Sequence, residues 1–143
     1  MFKITTVLPI KNVVPNFTLT LPFEQRQKSR LRTKLDDGQE VGIILAHGQK
    51  LHHGDLLQSE DGSVIELRAA AEAVSTIYNA SPLSKMRACY HLGNRHVALQ
   101  INEQFIRFLQ DRVLDKMIES LGMQIVHEFA PFEPEAGAYH QHE

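Results

Sequence analysis

Alternation of apolar and polar positions dominates the first half of the chain. "FTLTLPF" sets Phe17, Leu19 and Leu21 against Thr18 and Thr20, a period of two that predicts a strand. Pro22 ends that run or places it at a sheet edge. In "SRLRTKLDDGQEVGIILAHG", Asp37-Gly38 is a hairpin signal between two strand-like arms. Leu31 and Leu35 alternate with charges on one arm, and Val41, Ile43, Ile44 and Leu45 make the other apolar. "LHHGDLLQSEDGSVIELRA" repeats the theme, with turns at His53-Gly54 and Asp61-Gly62. Short strands at this spacing predict a small sandwich or barrel.

The pattern changes near residue 68. "LRAAAEAVSTIYNA" is ambiguous: its alanines favour helix, while Val74, Thr76 and Ile77 favour strand, so its second half is read as a strand. Ser81 fits an N-cap with Pro82 at the first helical position. Leu83, Met86 and Tyr90 then recur at helical spacing, and Gly93 is read as the stop. "HVALQI" and "QFIRFL" read as strands. "DRVLDKMIESLG" is the clearest helix, capped by Asp111 and closed by Gly122, with Val113, Leu114, Met117, Ile118 and Leu121 assigned to one face. "MQIVHEF" is a final strand, and the tail "APFEPEAGAYHQHE" is expected to be ordered only where it docks.

The expectation is an α+β protein with a boundary between residues 68 and 74. Residues 1–70 form an all-β domain. Residues 71–143 form a ferredoxin-like β–α–β–β–α–β domain with a C-terminal tail.

Composition narrows the function. The chain has 143 residues, 43% hydrophobic, with a formal net charge of −2, so no basic excess points to nucleic acid. The one cysteine, Cys89, excludes an internal disulfide and a thiolate-rich metal site within one chain, and is read as a packed thiol. "MFKITTVLPIKNVV" lacks a signal peptide's apolar core, and no window approaches the roughly 18 apolar residues of a membrane span. A cytoplasmic protein with no membrane partner is expected. No nucleophile elbow or glycine-rich phosphate loop is present. The Asp36-Asp37 and Glu133/Glu135 pairs read as solvated carboxylates.

Eight histidines remain. His52-His53 read as a polar turn, because neighbours on a strand point to opposite faces. His91 and His96 are five apart, not the i, i+4 spacing that sets two imidazoles on one helical face. His47 and His127 stand alone in sequence. His140 and His142 form an H-x-H that is either a flexible chelate or incidental polarity. In "CYHLGNRHVALQ", His96 follows a helix-to-strand turn with no partner in its own segment. It is either structural or one half of a site completed across a two-fold axis, where each residue meets its symmetry mate. Such an exposed, incomplete imidazole site suits a borderline metal such as nickel, copper or zinc, and lets it leave.

"ACYHLGNRHVALQI", "VLDKMIESLG" and "PFEPEAGAYHQH" together resemble the UreE family of urease accessory proteins, which are nickel metallochaperones. "LPFEQRQKSRLRTKLDDGQEVGIIL" resembles that family's N-terminal segment, so the resemblance covers essentially the whole chain. It implies a peptide-binding-type first domain and a homodimer through the second. It also implies Ni(II) held between two copies of His96, with His140 and His142 as secondary ligands. Urease apoprotein and the urease GTPase accessory protein are the implied partners, and no enzymatic activity is implied. Cu(II) or Zn(II) are further candidate ions.

The chain departs from the family pattern in three places. Gln110, Asp111 and Arg112 stand where some members carry a second H-x-H; Ala98 replaces a frequent proline; and the tail offers two histidines instead of many. The competing reading is a peptide-binding module of the urease assembly complex, using edge strands of the first half, with metal binding incidental.

Overall fold

A computed structural model describes residues 2–136. The chain divides into two compact units, Met1–Ala70 and Ala71–Glu143.

The first unit is a six-stranded sheet in the order β2-β6-β5-β1-β4-β3. Its strands are β1 (Phe2–Val7), β2 (Phe17–Leu21), β3 (Arg30–Lys34), β4 (Glu40–Ile44), β5 (Leu56–Ser59) and β6 (Val64–Ala69). One short helix, α1 (Phe23–Arg26), follows β2. Two of its features lie beyond the alternation described above. β1 is central, paired parallel to β4 and antiparallel to β5, with Ile4 fully buried. Within α1, Arg26 is buried and donates from Nε to the Leu21 carbonyl at 3.1 Å. Alternation buries Leu19, Leu21, Val41, Ile43, Leu57, Ile65 and Leu67 in one core.

The turns follow from glycine. Gly38, Gly54 and Gly62 hold φ of 92°, 88° and 88°, which a side chain would resist. Asp36, beside the first of these turns, is not simply solvated. Its carboxylate accepts from Thr18 Oγ1 at 2.7 Å, Thr20 Oγ1 at 2.9 Å and the Thr20 amide at 3.1 Å. Its own amide donates to the Thr18 carbonyl. These bonds join the β3–β4 turn to β2, at the opposite end of the strand order, and nearly close the sheet. Partial burial raises the Asp36 pKa, but the threonine bonds and the Arg68 charge outweigh it and leave the carboxyl below its usual value.

The second unit runs β7 (Ala71–Tyr78), α2 (Pro82–Asn94), β8 (Gln100–Ile101), β9 (Phe105–Leu109), α3 (Arg112–Ser120) and β10 (Val126–Pro131). Its sheet order is β10-β7-β9-β8, and every pair is antiparallel. The alanine-rich stretch is extended from Ala71 onward, because pairing with β10 and β9 overrides alanine's helical preference. The "HVALQI" strand contracts to Gln100–Ile101. In α3, Asp111 accepts from the amides of Val113 and Leu114, and Leu114 and Ile118 are buried; Val113 faces outward, off the expected face. Both helices pack on one face of the sheet through Ala88, Leu92, Leu114 and Ile118 against Ile77, Ile106 and Phe108.

The other face of this sheet carries a buried cation. Arg107, 7% exposed, donates to Thr76 Oγ1, Tyr78 Oη, Glu128 Oε2 and the Pro131 carbonyl at 2.9–3.3 Å. Its guanidinium stacks 4.1 Å from the Phe105 ring centroid. Every direction of this charge is met, as burial of a cation requires.

Asp36→Asn is expected to lose about 1 kcal/mol of stability at neutral pH, a small value because the carboxylate is largely exposed. The depressed native pKa stabilises above the unfolded pKa, and that contribution is lost as pH falls through the native value. Urea midpoints of the two proteins should therefore converge in acid; a constant gap at all pH values would refute this role.

Candidate metal site

The segment from Ser81 to Leu99 positions the candidate ligand. Ser81 Oγ accepts from the Ser84 amide at 3.2 Å and Pro82 takes the first helical position, so α2 starts where its cap dictates. It does not stop where expected. The helix continues through Gly93 and Asn94, and Gly93 has no left-handed φ. The left-handed residue is His96 itself, at φ 55°. The amides of Arg95 and His96 donate to the Leu92 and Gly93 carbonyls at 3.1 and 3.0 Å, closing the helix end. Histidine is among the non-glycine residues enriched in this conformation, which glycine adopts without strain.

His96 is exposed, together with Asn94 and Arg95. Leu92 before the turn and Leu99 after it are buried in the second unit's core. A tight turn pinned at both ends thus presents an imidazole to solvent from a rigid base.

The helix leading to His96 has apolar residues on two faces. Ala88 and Leu92 face the sheet. Leu83, Met86 and Tyr90 are 53%, 62% and 66% exposed. Their i, i+3, i+7 spacing makes one stripe along the outer face, advancing toward the turn that holds His96.

The remaining histidines divide by contact. His53 is structural, its Nδ1 accepting from the Ala69 amide at 3.0 Å. His91 stacks edge-on against Tyr90, with ring centroids 5.2 Å apart. His127 Nε2 lies 2.7 Å from Asp115 Oδ2, and Ser75 Oγ donates to the other Asp115 oxygen at 2.7 Å. The carboxylate takes both groups, so serine and histidine are not coupled as nucleophile and base. His47 and His52 are exposed in the loop before β5. Gln110 Nε2 donates to the Val74 carbonyl at 3.3 Å, and Arg112 is exposed at the start of α3. His140 and His142 lie outside the described residues.

Cys89 is half-buried, and burial, only partly offset by Lys85, pushes its thiol pKa up. That is the opposite of what a reactive or metal-binding thiolate needs. Among the described residues, no three or more histidine, cysteine or acidic side chains converge into a metal-holding group. His96 therefore offers one imidazole donor, of a type suited to nickel, copper or zinc, and belongs to no group of three or more such side chains among the described residues of one chain.

Comparison with known proteins covers both units. Residues 4–70 match the family model described as the N-terminal domain of the UreE urease accessory protein, and residues 72–143 match the model of its C-terminal domain. A protein named urease accessory protein UreE from Alkalilimnicola ehrlichii is 55% identical over 139 residues, covering 97% of this chain and 85% of that one. Proteins of the same name from Proteus mirabilis and Shewanella halifaxensis are 49% and 47% identical. Those alignments cover 87% and 97% of this chain and 78% and 80% of theirs.

The left-handed turn makes a stability prediction that is independent of metal. His96→Gly should be more stable than His96→Ala by about 1 kcal/mol, since both lack the imidazole but only glycine adopts φ 55° without strain. Urea unfolding of the two variants measures the difference; equal stability would mean that residue 96 is not held left-handed.

Proposed function

The chain belongs to the UreE family of urease accessory proteins, and from that premise we propose that it is a nickel carrier for urease assembly. It acts as a homodimer and not as an enzyme, with one His96 from each protomer facing its mate across the two-fold axis.

One observation carries this reading. The exposed Leu83, Met86 and Tyr90 stripe leads along α2 to an exposed imidazole on a fixed turn. Contiguous exposed apolar side chains mark contact surfaces. If a second copy covers this stripe isologously, the same contact that hides the apolar residues brings the two turns together. The dimer then supplies two imidazoles. His140 and His142 act as secondary ligands that close the site or hand the ion on. Cu(II) and Zn(II) bind the same nitrogen donors and compete with Ni(II). An open site with few protein ligands favours release, which suits delivery. Metal binds neutral imidazole, so affinity falls as acid protonates the ligands.

In this reading residues 71–143 are a ferredoxin-like metal-binding domain, and residues 1–70 are a peptide-binding-type domain. The urease apoprotein and the urease GTPase accessory protein are the partners, and the cytoplasm is the compartment. Among the described residues no helix is long and apolar enough to cross a membrane.

A second reading has its own observation. β3 is the end strand of the first sheet, and a groove of about 430 Å³ lies among Lys3, Arg30, Arg32, Gly42 and Ile44. Basic side chains around an exposed isoleucine suit an acidic peptide segment, the use expected of a peptide-binding module of the urease assembly complex.

Met86→Glu places a charge in the proposed interface, away from the imidazole. It should give a monomer by light scattering and lose tight nickel binding along with the dimer, by at least tenfold. His96→Ala should lose the same binding as an intact dimer. Parent-like nickel affinity in either variant would contradict the shared site.

A further inference from the structure

The outer face of the first sheet carries a cluster of cations. In β3 the alternation packs Leu31 against the core and leaves Arg30 and Arg32 exposed. β1 and β4 follow the same pattern, with Ile4 and Ile43 buried and Lys3 exposed. In register, Gly42 on β4 pairs with Lys3 on one side and Arg32 on the other, and Ile44 pairs with Arg30. Among the described residues, none of Lys3, Arg30 and Arg32 forms an ion pair or a side-chain hydrogen bond. Glu40, the carboxylate of β4, stands opposite Lys34, two residues farther along the same face.

Gly42 is the unusual residue in this row. A glycine weakens a strand interior, and it often marks a bulge or a place where another group must approach closely. β4 runs unbroken from Glu40 to Ile44 and pairs without a register shift on both sides, so no bulge accounts for it. Nor is Gly42 among the glycines with left-handed φ. What it provides is room. The groove of about 430 Å³ lies over β4 at Gly42, with Lys3 on the β1 side, Arg30 and Arg32 on the β3 side, and Ile44, 42% exposed, beside Arg30.

We propose that this groove docks an extended segment of a partner protein that carries two acidic residues separated by one other residue. The first carboxylate sits over Gly42, between Lys3 and Arg32, in the space a side chain at position 42 would fill. The second meets Arg30 beside Ile44. This rests on the peptide-binding reading of residues 1–70, and adds the spacing that is recognised and the residue that admits it.

The spacing follows from strand geometry. Lys3 and Arg32 stand two strand spacings apart, about 10 Å between backbones, so their long side chains can converge on a carboxylate midway. Arg30 lies two residues along β3 from Arg32, about 7 Å, which is also the interval between alternate side chains of any extended segment. Acidic residues at i and i+2 therefore point to the same side and reach both seats at once. Adjacent acidic residues point to opposite sides, and only one of them can face the sheet. Ile44 offers an apolar surface for the methylene stem of the second acidic side chain.

The test uses two labelled peptides of equal composition and charge, Ser-Glu-Ser-Glu-Ser-Ser and Ser-Ser-Glu-Glu-Ser-Ser. Each is titrated at low salt into the full-length protein with no metal added, and binding is followed by the NMR shift of the residue 42 amide. The spaced peptide should bind the parent about fivefold more tightly than the adjacent one, the worth of one exposed ion pair at the upper end of its range. Arg30→Gln should abolish that preference. Gly42→Val, which fills the first seat and keeps the charge, should weaken both peptides by about fivefold. Lys3→Gln, on the exposed wall of the same seat, should also weaken both and carries the test if Gly42→Val does not fold. Equal affinity of the parent for the two peptides, with both moving the Gly42 amide, would overturn the spacing and leave the acidic-peptide reading standing. Parent-like affinity in both Gly42→Val and Lys3→Gln would overturn the seat over Gly42. No shift with either peptide would refute the acidic-peptide reading itself, leaving the cations as guards of an end strand against pairing. A single-stranded RNA oligonucleotide that moved the amide at lower concentration than the spaced peptide would assign the groove to nucleic acid and also overturn the proposal.

Discussion

The left-handed backbone of His96 is the constraint on which the functional reading turns. A helix must satisfy its last carbonyls before the chain can leave. Here Arg95 and His96 do so by donating back to Leu92 and Gly93. Glycine would hold φ 55° at lower cost, and the glycine three residues earlier is not used for it. Strain of this kind persists only where the surroundings over-determine it, and the buried Leu92 and Leu99 on either side do so. The consequence is an exposed imidazole whose backbone position is fixed, which is what a ligand shared between two chains requires.

The rest of the second unit reads as support for that turn. α2 is held from beneath by Ala88 and Leu92, and its outer stripe is left apolar. On the far face of the sheet, Arg107 ties β7, β9 and β10 together and also grips the Pro131 carbonyl at the end of β10. The Tyr78 hydroxyl, followed by Thr76, holds the Glu128 carboxyl below the usual carboxylate range, and Arg107 adds to that effect. One buried guanidinium thus serves both the sheet and the start of the tail.

Much of this was legible where local chemistry decides the outcome. Asp37-Gly38 and Asp61-Gly62 are turns because their glycines take positive φ, and Ser81 and Asp111 are caps because their side chains meet orphan amides. The failures come from tertiary context. Gly93 looked like a stop, yet glycine permits a left-handed turn without requiring one. The stretch after residue 70 reads as ambiguous with a strand in its second half; that strand is present and starts earlier, at Ala71, because pairing with two neighbouring strands outweighs alanine's preference for helix. β1 is central, and its meaning lies in distant partners, from Phe2 beside Val41 to Ile4 beside Ser59. Leu83, Met86 and Tyr90 are the helix's periodic residues in sequence, but periodicity cannot say whether a stripe meets its own core or another chain. His96 was singled out from sequence. The docking of residues 133 and 135 onto Gln100 and Leu99 has no such signal, because hydrogen bonds from backbone amides leave no trace in residue type.

The most direct test of the central claim is a nickel titration of the parent protein by calorimetry, with its mass measured by light scattering in the same buffer. A dimer whose tightest step saturates at one nickel per two chains is the predicted result. A monomer, or tight binding at one nickel per chain, would contradict the shared site and shift the ligand assignment from His96 toward His140 and His142.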